Sequence, residues 1–172
     1  SGFERKGVPQ LLEALARLSN RAARLVVVGS DRRTSALRRR ADGLGLGSRV
    51  IFAGAQREVR SWYGAADCFV LPTLYDPFPN AALEAMASGL PVITSSNCGA
   101  AEFIVEGDSG FVCDALDIAA LADRMGRIEP QVARTMGERA RASVAGLGLA
   151  TMAERLMALY ASLGPSLARP SS

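Results

Sequence analysis

Short apolar runs and amphipathic segments alternate along most of this chain. The runs RLVVVG, RVIFAG, CFVLP, PVITS and GFVC have the length and composition of buried strands. Segments with apolar residues at helical spacing separate them, beginning with residues 8–18, where leucines recur every few positions. This alternation predicts an α/β fold, a Rossmann-like doubly wound parallel sheet.

The pattern changes after Asp114, where the strand-like runs cease. Successive helices are predicted between residues 118 and 163, the last with an apolar stripe formed by Met152, Leu156, Leu159 and Leu163. Residues 165–172 have the composition of a disordered tail. We therefore expect one domain over residues 1–164, with a helical C-terminal tail and no second domain.

One strand is missing from the predicted sheet. In a doubly wound sheet the first strand lies in the middle, and the helix at 8–18 should follow it. Only SGFERKG precedes that helix. The strands at 24–29 and 67–72 could therefore flank a gap, another segment could fill the gap, or the two strands could close together. We expect the chain to be part of a longer protein.

Composition excludes several classes of protein. A chain of 172 residues with 49% hydrophobic content can bury a core, and no apolar run approaches the roughly 20 residues of a membrane span. We see no signal-peptide layout. Histidine is absent, which removes the commonest general base and metal ligand. The three cysteines (Cys68, Cys98 and Cys113) lack metal-ligand spacing, and we expect them to be reduced in a cytoplasmic protein.

Arginine supplies nearly all the positive charge, and Lys6 is the only lysine. The net charge of +3 is small, and no aromatic residues alternate with the arginines, so nucleic acid is not the expected partner. Five arginines cluster on or beside one predicted helix: Arg32, Arg33, Arg38, Arg39 and Arg40. They form either a solvated helix face or a surface for anionic lipid headgroups.

The stretch LPTLYDPFPNAALEAMASGLPVITS (residues 71–95) carries the candidate chemistry. It reads as strand, loop, helix and strand, which places the loop at the carboxyl edge of a parallel sheet, where open α/β folds bind ligands. Asp76 and Glu84 offer carboxylates, and the helix start around Asn80 and Ala81 offers unpaired amides to an anion. Phosphate and sugar hydroxyls suit such groups.

Four blocks of sequence carry a family resemblance: GFERKG; LVVVG; RVIFAG with AADCFVLP; and DPFPNAALEAMASGLPVITS with GAAEFIVEGDSGFV. Together they resemble the C-terminal, donor-binding domain of a GT-B glycosyltransferase of family 4, and are especially similar to lipopolysaccharide-core glucosyltransferases. The resemblance covers residues 1–121 well and the helical tail loosely. It implies one half of a GT-B fold, with the acceptor domain outside this chain.

The resemblance also implies an activity and catalytic residues. The reaction would be retaining, metal-independent transfer of a hexosyl group from a nucleotide diphosphate sugar, without a cofactor. Arg5 and Lys6 would grip the leaving diphosphate in place of a metal ion, since no DxD-type acidic pair is present. Glu84 would hold the ribose hydroxyls. Asp76, where the family has glutamate, would face the transferred sugar.

The other donor-binding positions implied by the resemblance act mostly through their backbone. Residues 54–56 would lie against the base, which we take to be uracil, and Pro79 can only shape its turn because it has no N–H. The positions are Gly29, Gly54, Ala55, Gln56, Phe78, Pro79, Asn80 and Ala81.

Two alternatives stay open beside a transferase. Asp76 in place of glutamate would suit a nucleotide-sugar-binding module without transfer activity. A sugar-nucleotide epimerase or phosphorylase of the same fold is the other alternative, against which the lack of histidine and the DPFPNAALE block argue. For the transferase we expect a glycan or lipid-linked acceptor and a cytoplasmic location, at the inner face of the membrane if the arginine cluster meets lipid.

Overall fold

The computed structural model describes residues 2–162, which contain five short strands and seven α-helices. The strands are β1 (Leu25–Val28), β2 (Val50–Gly54), β3 (Phe69–Leu71), β4 (Val92–Ser95) and β5 (Gly110–Cys113). The helices are α1 (Val8–Arg17), α2 (Thr34–Gly43), α3 (Arg60–Gly64), α4 (Asn80–Ala87), α5 (Ile118–Gly126), α6 (Pro130–Val144) and α7 (Leu149–Ser162). The predicted order of elements is confirmed, except that the helix predicted to begin at Gly99 is a 3₁₀ helix, Gly99–Phe103.

The strands form two separate parallel sheets. β1 pairs with β2, and β4 lies between β3 and β5. Leu25 lies opposite Val50 in the first sheet, and Phe69 lies opposite Val92 in the second. Within residues 2–162, no ladder joins β1 to β3. Of the three alternatives left open for the missing strand, the structure therefore shows the gap.

Helix α1 joins the two sheets into one core. Its leucine face is buried, with Leu12 0% and Leu15 1% exposed, and the helix packs against α5 and, less extensively, α2. The same apolar cluster contains Val27 of β1 and Ile93 of β4. Full burial of a leucine contributes about 1.5–3 kcal/mol. The leucine face of α1 therefore stabilises the packing of the two sheets, which no ladder joins within residues 2–162.

Helix α4 has a buried face and an exposed face. Ala82, Ala85 and Met86 point into a second apolar cluster, whereas Glu84 is exposed. On the buried side α4 packs against α6, where Gly137 approaches the carbonyl of Gly89 too closely for a larger residue. This packing fixes which residues of α4 face solvent.

Residues 2–7 form a compact segment, the amino-terminal turn, beside the carboxyl ends of β1 and β3. Phe3 is 4% exposed and its ring lies against Gly29, just after β1. On the other side, the Arg5 carbonyl accepts a hydrogen bond from the Leu74 N–H at 2.8 Å. The turn therefore spans the gap at the edge where ligands bind in this class of fold.

The arginine cluster is largely engaged within the chain. Arg33 pairs with Glu4 and Arg40 with Glu13, and the guanidinium of Arg38 lies 5.0 Å from the centre of the Phe52 ring. Across residues 2–162, no helix has the length and apolar content needed to span a bilayer.

The last helix carries apolar side chains on its surface. Met157, Leu159 and Tyr160 are exposed. Of the predicted apolar stripe, Met152, Leu156 and Leu163 lie outside the described side chains, as does the predicted tail, residues 165–172.

Replacement of Gly7 tests the contact that holds the amino-terminal turn. Gly7 has φ 76°, and a Cβ there would overlap the Pro72 carbonyl. Gly45, with φ 69° and no atom within 4 Å of the added Cβ, is a matched control. We expect Gly45→Ala to lower the free energy of unfolding by about 1–2 kcal/mol. Gly7→Ala should lower it by roughly 1–3 kcal/mol more.

Urea denaturation followed by circular dichroism measures both variants. Equal losses for Gly7→Ala and Gly45→Ala would show that the turn does not depend on its close approach to Pro72.

Candidate functional site

The structure brings Arg5 and Asp76 together at the edge of the gap. The Asp76 carboxylate is 14% exposed and lies 3.8 Å from Arg5 Nη1; the Arg5 guanidinium also donates to the carbonyl of Tyr75. The backbone of Asp76 is held by hydrogen bonds with Asn97 and Gly99 at 3.2 and 2.9 Å. Two side chains far apart in sequence thus share one ion pair.

A chain of hydroxyl groups fixes the backbone at Arg5. The fully buried Thr73 donates through Oγ1 to the Arg5 carbonyl at 3.0 Å. The buried hydroxyl of Ser95, at the end of β4, donates in turn to the Thr73 carbonyl. Buried hydroxyls require such partners, so this arrangement ties the amino-terminal turn to β4. The sequence interpretation missed Thr73 and Ser95, because a hydroxyl at the end of an apolar run has no distinctive pattern.

Lys6 is half-buried, and its ammonium has no partner among residues 2–162. Only its backbone N–H is engaged, by the Gly2 carbonyl at 2.9 Å. The two cations therefore differ: Arg5 is paired with Asp76, whereas Lys6 remains able to meet an added anion.

Of the two amides predicted to be unpaired at the start of α4, those of Asn80 and Ala81, one is engaged. The Asn80 N–H donates to the Phe78 carbonyl at 3.1 Å, so it is already engaged. The Ala81 N–H has no acceptor in the described part of the chain. Pro79 provides no side-chain cap, and no acidic residue lies in the first turn. Ala81 rather than Asn80 presents the amide, beside Phe78, which is 73% exposed.

Glu84 lies one turn further along α4, on its exposed face. Its Oε2 is 3.2 Å from the Tyr63 hydroxyl, which also lies 3.3 Å from the Ala81 carbonyl. Burial, and secondarily the negative charge of Glu84, raises the pKa of Tyr63 to about 12. Tyr63 was not predicted from the sequence; an aromatic residue in a short helix ordinarily indicates packing.

The donor-binding positions predicted in the first sheet lie at the carboxyl ends of β1 and β2. The Gly29 N–H donates to the Gly54 carbonyl at 2.8 Å, and Ala55 and Gln56 follow on the surface, with Gln56 Nε2 donating to the Ala53 carbonyl. An open cleft of about 600 Å³ is lined by Gly2, Ser30, Asp31, Arg32 and Arg33.

The amino-terminal turn connects the two halves of this site. The Phe3 N–H donates to Asp31 Oδ2 at 3.0 Å, which ties the turn to the loop after β1. Its other end contacts the loop after β3, through Arg5 and Asp76. The turn, the loop after β3 and the start of α4 thus offer two cations, the Asp76 carboxylate and an unengaged amide, groups suited to an anionic, hydroxyl-rich ligand.

Within residues 2–162, no group of three or more acidic or cysteine side chains is placed to hold a metal ion. The three cysteines are free thiols. Burial raises the pKa of the Cys68 thiol to about 12, so this thiol is not an activated nucleophile.

Comparison with known sequences gives the family. A profile of the family described as glycosyl transferases group 1 matches residues 1–129. The chain is 35% identical to the lipopolysaccharide core biosynthesis glycosyltransferase LpsE of Rhizobium meliloti, over 69% of this chain and 34% of LpsE. It is 38% identical to the lipopolysaccharide glucosyltransferase WaaG of Escherichia coli, over 65% of this chain and 30% of that protein. The chain thus spans about a third of these relatives.

Comparison with solved structures gives the same class of protein. Sucrose-phosphate synthase from Thermosynechococcus elongatus superimposes with a TM-score of 0.79 at 35% identity, covering 93% of this chain and 43% of that protein. A crystal structure of WaaG gives 0.80 at 29% identity, covering 91% and 44%. The fold is the Rossmann-like half of a GT-B glycosyltransferase. By its sequence, the chain belongs to the glycosyl transferases group 1 family.

Proposed function

We propose that this chain is the donor-binding domain of a retaining, metal-independent glycosyltransferase that transfers a hexosyl group from a UDP-sugar. Its acceptor would be a glycan or a lipid-linked sugar held by a further domain. The observation that carries this proposal is the amino-terminal turn, which joins Arg5 and Lys6 to the loop of Asp76. Family membership supplies the reaction class.

The diphosphate would bind between the cations and the start of α4. Lys6 has no competing partner among the described residues, and the Ala81 N–H lies at the positive end of a helix dipole. These donors would stabilise the charge that grows on the leaving diphosphate, the task that a metal ion performs in other enzymes. Arg5 could join them by exchanging Asp76 for a phosphate.

The nucleoside would extend along both sheet edges. Glu84 would accept hydrogen bonds from the ribose diol, because a carboxylate has two oxygens to offer. Gly54, Ala55 and Gln56 would lie under the base; the space around Gly54 is open. Asp76 would face the transferred sugar. Titration with UDP, GDP and ADP tests the choice of base, and UDP should bind most tightly.

We expect the 172 residues alone to bind nucleotide but to transfer no sugar, since the acceptor would be held elsewhere. A cytoplasmic location and peripheral contact with anionic lipid belong to the same proposal. Arg32 and Arg39 would be the main lipid contacts, since Arg33, Arg38 and Arg40 have partners within the chain.

Replacement of Glu84 tests the ribose contact. Glu84→Ala should weaken UDP binding to the chain by about 1.5–3 kcal/mol, the range for hydrogen bonds to a charged group. Isothermal titration calorimetry measures the loss. Glu138→Ala, an exposed glutamate on α6, is the control and should leave the affinity unchanged. An unaltered affinity for Glu84→Ala would remove Glu84 from the site.

Lys6→Ala should separate phosphate binding from nucleoside binding. If the ammonium meets the diphosphate, the variant loses affinity for UDP and keeps its affinity for uridine. Arg39→Ala, which removes an exposed cation of α2, should change neither. Calorimetric titration with both ligands gives the comparison. Equal losses for UDP and uridine would show that Lys6 does not touch the phosphates.

The second candidate function is nucleotide-sugar binding without transfer, favoured by Asp76, whose shorter side chain is already paired with Arg5. Asp76→Glu in the complete two-domain protein discriminates between the two. We expect little change in the rate of sugar transfer, because Asp76 is a working variant in our proposal. A large gain in rate would favour the binding module.

A further inference from the structure

Tyr63 packs against β3 and α4, and its hydroxyl lies within hydrogen-bond distance of Glu84. It lies in α3, and its ring meets the Phe69 ring of β3 edge-to-face at 6.0 Å between centroids. The ring packs against the second apolar cluster, which includes Ala82, Ala85 and Met86 of α4. The hydroxyl position is therefore set by the core and not by a mobile surface chain.

The Tyr63 hydroxyl has one proton and two acceptors within reach. The Ala81 carbonyl lies at 3.3 Å and Glu84 Oε2 at 3.2 Å. A carboxylate is the stronger acceptor. The phenol is protonated at neutral pH and can donate, and burial raises its pKa further, to about 12.

Glu84 is exposed and has no cationic partner in residues 2–162. An unrestrained glutamate loses rotamer freedom when it binds a ligand, which weakens binding. Tyr63 engages one carboxylate oxygen and leaves acceptor sites on both oxygens for other donors. The hydrogen bond can therefore orient Glu84 before the ligand arrives.

We propose that Tyr63 is a positioning residue that holds the Glu84 carboxylate in the orientation required by the vicinal diol of a ribose. This inference rests on the proposed function, in which Glu84 binds the donor nucleotide. It adds a residue that acts through Glu84 and does not touch the ligand.

The test compares UDP with 2′,3′-dideoxy-UDP, which lacks the diol, by calorimetry on the 172-residue chain. Tyr63→Phe keeps the ring and its packing but removes the donor. We expect it to bind UDP roughly three- to tenfold more weakly, the scale of one indirectly lost hydrogen bond, and to bind the dideoxy ligand as the wild type does. Tyr160→Phe, on an exposed tyrosine of α7, is the matched control and should bind both ligands unchanged.

A double-mutant cycle and a titration complete the experiment. In a Glu84→Gln background, Tyr63→Phe should have little further effect on UDP binding. Glu84→Gln should also lower the pKa of Tyr63 from about 12 part of the way toward 10.0, since it removes the carboxylate charge but not the burial. Carbon-13 NMR of labelled tyrosine, assigned with Tyr63→Phe, measures this without nucleotide.

The outcomes separate the two proposals. Equal losses for both ligands in Tyr63→Phe, or full retention of UDP affinity, would overturn the positioning role while leaving the nucleotide site in place. A wild type that binds both ligands equally would overturn the ribose role of Glu84, and the positioning role with it. An unchanged pKa of Tyr63 in Glu84→Gln would show that the two side chains are not coupled.

Discussion

The anchoring of the Arg5 carbonyl is the interaction on which the candidate site depends. Two donors converge on this oxygen, the Leu74 N–H at 2.8 Å and Thr73 Oγ1 at 3.0 Å. Gly7 lies against Pro72 immediately beyond. Because no ladder joins β1 to β3 within residues 2–162, this segment is not held by hydrogen bonds to a strand there. The turn stays at the sheet edge through these few contacts and through the buried ring of Phe3.

Because the sheet is interrupted, helix packing takes over the positioning of the loops at the candidate site. In a continuous doubly wound sheet, central strands fix the positions of the loops at their carboxyl ends. Here α1 carries that function, since its buried leucines belong to an apolar cluster that also contains residues of both sheets. The loops after β1 and β3 are then joined at the edge by the amino-terminal turn, through Asp31 on one side and Asp76 on the other. The site is therefore assembled from helix packing and loop contacts.

Local patterns were sufficient to predict the elements but not their contacts. Apolar runs such as RLVVVG and PVITS predicted β1 and β4. The absence of a run before α1 indicated a missing central strand but left open whether a gap would remain there. The proximity of Arg5 and Asp76 followed only from the resemblance. The Tyr63–Glu84 hydrogen bond could not be predicted, because it depends on how the Tyr63 ring packs against Phe69 of β3 next to α4. The engaged amide of Asn80 depends on the local path of the chain around Pro79.

In the proposed function, the pairing of Arg5 with Asp76 would give the two cations different parts in binding the diphosphate. Arg5 is about half exposed and its guanidinium lies 3.8 Å from the Asp76 carboxylate, so solvent screening limits the pair to about 0–1 kcal/mol. A diphosphate carries more charge than one carboxylate and offers bidentate acceptors to a guanidinium. Arg5 can therefore change partners at little cost, which would leave the Asp76 carboxylate able to accept a hydrogen bond from a sugar hydroxyl. Lys6 needs no such exchange, so it would meet the phosphates first.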